Sequence, residues 1–191
     1  MEQQERLERF RDLLRAWGRK VNLIGPEAFA HLDEHVLEAV AAARHVQPAG
    51  ECLDFGSGGG LPAIPMAIVA GDAARFHLVE SDVKKWSFLK RAVRECELNC
   101  VVHGDRLAAV LKRLPPQQRF TLVTSRAVGY PETWVPLLSD RLATGGRIGL
   151  FQGSPELPPS LSAFDVEVFA LPRGSANYLV TFDVPRGTAG S

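Results

Sequence analysis

The residues best placed to do chemistry form one short run. Leu53 and Asp54 lead through Phe55 into Gly56-Ser57-Gly58-Gly59-Gly60, and Leu61-Pro62 opens an apolar stretch of Ala63, Ile64, Met66, Ala67, Ile68 and Val69. Such a run predicts a buried strand, a tight glycine turn and the start of a helix. Glycine suits backbone that must come close to a ligand or adopt positive φ. A helix start adds unpaired N–H groups and the positive end of a dipole. Glu80 stands about twenty residues beyond Gly60, at the end of a second apolar run, where an acid is placed to hydrogen-bond a ribose diol. The pattern predicts a site for a nucleoside-containing cofactor.

A glycine turn with a later acid serves NAD-binding and S-adenosylmethionine-binding domains alike. Three features separate them here. Asp54 ends the strand two residues before the first glycine. A carboxylate there repels a pyrophosphate, whereas it accepts a hydrogen bond from the ammonium of a methionine moiety. The chain closes with what reads as an antiparallel strand pair, the usual arrangement of methyltransferases. At 191 residues it is short for the separate catalytic domain of most dehydrogenases, and it has no Tyr-x-x-x-Lys pair. S-adenosylmethionine is the expected cofactor and NAD the alternative.

Alternating elements must position this turn. Strands are expected at 51–55, 75–80, 100–103, 119–124 and 146–151, and helices at 61–70, 83–97, 105–113 and 132–142. That alternation predicts an α/β fold of the Rossmann-like class I methyltransferase type, with a mostly parallel, doubly wound sheet. Gly145-Gly146 reads as a turn before the fifth strand. Residues 165–171 and 178–184 read as an antiparallel hairpin at the sheet edge, with Pro172 to Ser175 between them. Ahead of the turn, Leu7, Phe10, Leu13, Leu14 and Trp17 recur at helical spacing. A second helix is expected over 27–46, after Pro26. The organisation read is a helical cap (1–47), a methyltransferase domain (48–184) forming one unit with it, and a disordered tail (185–191).

Lys+Arg and Asp+Glu both number 22, so any nucleic-acid contact needs a local basic patch. No apolar run reaches membrane-spanning length, and Met1 to Arg6 lacks the pattern of a signal peptide. Three cysteines, Cys52, Cys96 and Cys100, suit a reducing cytoplasm as small buried thiols; no zinc pattern is completed, so no metal is expected. A cytoplasmic monomer is the expectation.

The chain also resembles the glucose-inhibited division protein B family. Leu14 to Leu23 is similar to its opening "LLxWNKxxNLT", His35 to Glu38 to "RHILDS", and Leu53 to Pro65 to "DVGxGxGLPGIP". Glu80 to Lys85 with Phe88-Leu89 is similar to "DSxxKRxxFL", and Ser125-Arg126-Ala127 to "SRA". The likeness spans about residues 14 to 184. It implies transfer of a methyl group from S-adenosylmethionine to guanine N7 of small-subunit ribosomal RNA, with that RNA or the assembling subunit as partner. It implies cofactor contacts from Asp54, Gly56, Ser57, Gly58, Gly60, Leu61, Pro62, Glu80, Ser81 and Arg106. It places Arg126 near the target base or its phosphate, as the catalytic and substrate-binding candidate, with Asn22, His35, Lys84 and Lys85 as further substrate contacts. The chain departs from the pattern at Glu34, Gln152 and Asn177, where the family carries cations, and at Ala108 and Ala109, where it often carries acids.

Each candidate has a plainer reading. Arg126 can be salt-bridged to a nearby acid. His35 can be a hydrogen-bonded structural histidine, and Asn22 can cap the next turn. Lys84, Lys85, Lys90, Arg91 and Arg94 can be a solvated helix face, or with Arg15, Arg19 and Lys20 an RNA patch. Trp17, Trp86 and Trp134 read as packing residues. The missing cations leave open a methyltransferase for another nucleic acid or a small molecule, and a non-catalytic RNA-associated relative.

Overall fold

The computed structural model describes residues 1–18, 21–126, 128–162, 164–172 and 178–183. Three helices come first: α1 (Gln3–Gly18), α2 (Pro26–Ala30) and α3 (Leu32–Val46). Then follow β1 (Gly50–Phe55), α4 (Ala63–Ala70), β2 (Ala74–Val79), α5 (Val83–Glu95) and β3 (Cys100–His103). The chain continues through α6 (Leu107–Arg113), β4 (Phe120–Arg126), α7 (Pro131–Leu138), β5 (Leu142–Gln152), β6 (Val166–Ala170) and β7 (Tyr178–Asp183).

The strands form one sheet in the order β3-β2-β1-β4-β5-β7-β6. The first five are parallel, and β7 runs antiparallel between β5 and β6. β1 is buried from Cys52 to Phe55, as a central strand covered on both faces must be. One face is covered by α1, α3, α4 and α5, where Phe10, Leu14, Val36, Ile64, Phe76 and Phe88 share an apolar cluster. The other is covered by α6 and α7, with Leu53, Phe55, Phe120, Trp134 and Leu138. The cap helices therefore share a core with the sheet. Strand order reverses at β1, so ligands are expected at its carboxyl end, between β1 and β4.

The expected elements are present with shifted ends. The helix expected over 27–46 is interrupted at His31, which joins α2 to α3 with φ −107° and ψ 27°. Leu61-Pro62 completes the glycine turn, so α4 starts at Ala63. The last crossover helix stops at Leu138, and a single 3-10 turn spans Ser139–Arg141. Gly145-Gly146 is not a turn ahead of the fifth strand but lies inside it. Phe120 pairs with Leu142 while Leu122 pairs with Arg147, so β5 bulges between these pairs. A Cβ on Gly146 would sit 2.6 Å from the carbonyl oxygen of Phe120, which explains the glycine. Residues 173–177 of the loop between β6 and β7, Asn177 among them, and the tail lie outside the described residues, as do Arg19 and Lys20.

All three tryptophans pack. Trp134 is buried edge-on against Phe55, Trp17 tilts onto Phe88, and Trp86 lies beneath the Lys90 ammonium. Cys96 closes α5 and Cys100 opens β3; all three thiols are free. Among the described residues no cluster of three metal-ligating side chains occurs, and no helix is long and apolar enough to cross a membrane.

A polar chain crosses the parallel strands. His77 Nε2 stands 2.7 Å from Glu51 Oε2, and its Nδ1 stands 3.0 Å from His103 Nε2. Burial lowers the pKa of both histidines, that of His103 to about 4 from 6.5. The unfolded chain thus binds more protons than the folded one between those values, and stability falls as pH drops through that window. Replacing His103 with Gln is expected to flatten this part of the melting-temperature profile. An unchanged profile between pH 6.5 and about 4 would show that His103 does not titrate there.

Candidate active site

The glycine turn is held by side chains of neighbouring strands. Ser57 Oγ donates to the carbonyl of Asp54 at 3.0 Å, and Ser57 N donates to the carbonyl of Val79 at 3.2 Å. Gly58 N donates to Glu80 Oε2 at 2.8 Å, while Asp82 N donates to Glu80 Oε1 at 2.8 Å. Gly58 has φ +54°, a conformation glycine adopts without strain. Gly60 serves packing: a Cβ there would lie 2.6 Å from Ile64 Cγ1. Asp82 caps α5, its Oδ1 accepting from the N–H groups of Lys84 and Lys85 at 2.9 and 3.0 Å.

A cavity of about 730 Å³ opens beside this turn, between the cap and the carboxyl ends of β1, β4 and β5. The cap contributes Leu23, Ile24, Ala28 and His35. The turn contributes Gly56 to Gly59 and Leu61, α5 contributes Lys85, and the strands contribute Ser125, Arg126 and Leu150 to Gln152. A second cavity of about 190 Å³ lies on the β2 side, lined by Glu80, Ser81 and Arg106. The two share Gly56 and Val128. Val128 leans over Gly56 so closely that a Cβ there would overlap it.

Asp54 is buried under the turn. Its Oδ1 accepts from Thr124 Oγ1 at 2.6 Å, and its Oδ2 has no partner. Burial pushes its pKa up to about 7, against the Thr124 hydrogen bond and the nearby Arg126 charge. Arg126 ends β4 and joins a second polar group. Its Nη2 donates to Glu38 Oε2 at 3.0 Å, its Nη1 lies 2.8 Å from His35 Nδ1, and its guanidinium lies 5.0 Å over the Phe151 ring. Glu38 is fully buried. Arg126 is thus both salt-bridged and part of the cavity wall, and His35 is both hydrogen-bonded and part of it.

Several expected residues lie elsewhere. Asn22 is exposed and outside the cavity lining, because the turn bonds Val21 N to Trp17 O and Leu23 N to Val21 O, and it is Leu23 that is buried. It does not cap α2 either, since Gly25 holds that position without a side-chain bond. Lys84 is exposed at the start of α5, outside both linings. Asp54, Gly60 and Pro62 also fall outside the linings and are buried, Asp54 directly beneath the turn. Gln152, where a cation was expected from the family pattern, spends its amide on the carbonyls of Ser154 and Glu156 at 2.7 and 2.9 Å. Glu34 sits 3.3 Å from His31. Thr124, Phe151 and the paired role of Glu38 were not foreseen; only the polar Glu38 on an otherwise apolar helix face hinted at one of them.

Comparison with known proteins narrows the class first. The sheet and its helices superpose on a precorrin-6y C5,15-methyltransferase from Geobacter metallireducens (TM-score 0.58, 16% identity, 75% of this chain and 86% of that one). They also superpose on a precorrin 8w decarboxylase from Methanobacterium thermoautotrophicum (TM-score 0.54, 15% identity, 76% and 89%). The fold is that of class I methyltransferases. A model of the family described as rRNA small subunit methyltransferase G matches residues 3–158, and the chain belongs to that family. A ribosomal RNA small subunit methyltransferase G from Cereibacter sphaeroides is 38% identical over 146 residues, 74% of this chain and 68% of its own length. One from Gluconobacter oxydans is 38% identical over 128 residues, 66% of this chain and 63% of its own length.

The elevated pKa of Asp54 has a direct consequence for stability. The folded carboxyl binds a proton up to about pH 7, whereas the unfolded one releases it near 3.8. Stability therefore declines as pH rises across that interval, and the ionised, half-partnered carboxylate opposes folding fully above it. Asp54→Asn is expected to raise the melting temperature of the ligand-free protein more near pH 8 than near pH 5. Equal shifts at the two values would show that Asp54 ionises without burial strain.

Proposed function

We propose that the chain transfers a methyl group from S-adenosylmethionine to N7 of a guanine in small-subunit ribosomal RNA. The observation that carries this reading is the buried carboxylate of Asp54, whose second oxygen lacks a partner at the strand-order switch, beneath the turn whose Gly56 to Gly59 line the large cavity. Such an oxygen suits the ammonium of an amino-acid moiety. Family membership and the names of the relatives support the reaction and the RNA.

The residues present fit the methyl donor. Asp54 and the Gly56 to Gly59 backbone would hold its methionine end. Glu80 would hold its ribose, with Ser81 and Arg106 beside it in the smaller cavity. Each Glu80 oxygen already accepts one backbone N–H and keeps capacity for a hydroxyl. When bound, S-adenosylmethionine supplies an electrophilic methyl group on a sulfonium. Guanine N7 carries a lone pair and no proton, so its attack needs no general base. The work left to the chain is alignment and exclusion of water, and such positioning contributes roughly 7–11 kcal/mol. Leu23, Ile24, Leu150 and Phe151 supply apolar wall for it. Arg126 faces the same cavity as the candidate substrate contact.

The basic face of α5 is the proposed RNA surface. Lys84, Lys90, Arg91 and Arg94 are exposed on it, and Lys85 reaches the cavity. Arg91 is already paired with Glu95 at 2.6 Å, so Lys84, Lys85 and Arg94 carry the phosphate contacts.

Two measurements test the proposal. Calorimetry is expected to show binding of S-adenosylmethionine and S-adenosylhomocysteine, and none of NAD. Asp54→Ala is expected to weaken the donor about ten- to hundredfold while the protein stays folded. Labelled donor and unmodified small subunits are expected to yield 7-methylguanosine after nuclease digestion. Label on another position, or none with donor bound, would refute the guanine-N7 assignment.

A further inference from the structure

Glu38 is a fully buried carboxylate on the cap helix α3, and its Oε2 accepts from Arg126 Nη2 at 3.0 Å. A buried charge of this kind is retained only when another charge compensates it. Its compensation is Arg126, whose side chain is 13% exposed and forms part of the cavity wall. His35 Nδ1 lies 2.8 Å from Arg126 Nη1, beside the same pair. The same Nδ1 lies 3.0 Å from Glu38 Oε2, so the imidazole stands against both members of the ion pair.

The charge balance of the cavity turns on this pair. Among the described residues, Arg126 and Lys85 are the cations in its lining. Under the reading proposed above, its occupant arrives as a sulfonium cation and leaves a neutral thioether, while the methylated guanine becomes cationic. An uncompensated guanidinium in a low-dielectric wall would repel both the donor and the developing charge on the base. We infer that Glu38 is the buried counter-ion that neutralises Arg126, so that the cavity accepts a cationic methyl donor. It is a positioning and charge-compensating residue that acts through Arg126 rather than on the substrate. The inference rests on the methyl-donor reading.

The test compares two ligands that differ in the sulfonium methyl and its charge. Dissociation constants of S-adenosylmethionine and S-adenosylhomocysteine are measured by calorimetry for the unaltered protein, Glu38→Gln, Glu38→Asp and the double variant Glu38→Gln/Arg126→Gln. Glu38→Gln keeps the shape and removes the charge. It is expected to weaken the cationic donor about tenfold more than the thioether. Glu38→Asp keeps the charge and is expected to leave the ratio of the two constants near that of the unaltered protein. The double variant removes both charges and is expected to return the ratio toward that value. A purely structural role would shift both ligands together and would give no recovery in the double variant. An unchanged ratio in folded Glu38→Gln overturns the inference alone. If Glu38→Gln does not fold, the double variant decides: a ratio far from that of the unaltered protein overturns the inference. Failure of the unaltered protein to bind either compound overturns the methyl-donor reading and this inference with it.

Discussion

Two backbone N–H groups converge on the Glu80 carboxylate, one from Gly58 and one from Asp82. That convergence ties the turn after β1 to the start of the helix after β2. It fixes where the glycine backbone stands relative to the sheet, and both cavities take their walls from it. Bonds from a backbone N–H to a carboxylate are stronger than neutral ones. The turn is therefore rigid although it is rich in glycine. Packing completes the constraint, since Gly59 and Gly60 approach Ile24, Leu14, Leu89 and Phe10 where any Cβ would intrude.

The cap and the sheet build the site together. Leu23, Ile24 and His35 come from the first helical segment, and Ser125, Arg126 and Phe151 come from strands. Among the described residues the seam between them holds apolar side chains and the buried Arg126–Glu38 ion pair. Breaking such a pair from one side costs about 3–5 kcal/mol, because the remaining charge stays buried. The register of α3 against β4 is thereby tied to the electrostatics of the cavity.

Much of this arrangement was legible in the residues. The strand, glycine turn and distant acid named β1, its turn and Glu80, because steric needs at those positions admit few residue types. The alternation of elements named the sheet and its closing antiparallel strands. The polar lining was read less well. Arg126 and His35 were singled out, but their shared partner Glu38 was not. That pairing joins positions 88 residues apart, and nothing local in a sequence reports it. The likeness to the family placed Asn22 at the substrate, while local geometry turns it outward. Gln152 shows the same limit: its amide braces the following loop, a use that depends on the path of the chain beyond it. The interrupted helix at His31 and the bulge in β5 were missed because each is settled by contacts between elements.

The bulge has a further consequence. Beyond Leu122 and Arg147, β4 and β5 pair without interruption as far as Arg126 and Phe151. Irregularity at the amino-terminal end of β5 is thus absorbed before the strands reach the cavity. A change of length between Ala143 and Gly146 falls within the bulge, upstream of the uninterrupted pairs. The segment acts as an expansion joint, taking up slack between the two strands without moving the guanidinium at the opposite edge of the sheet.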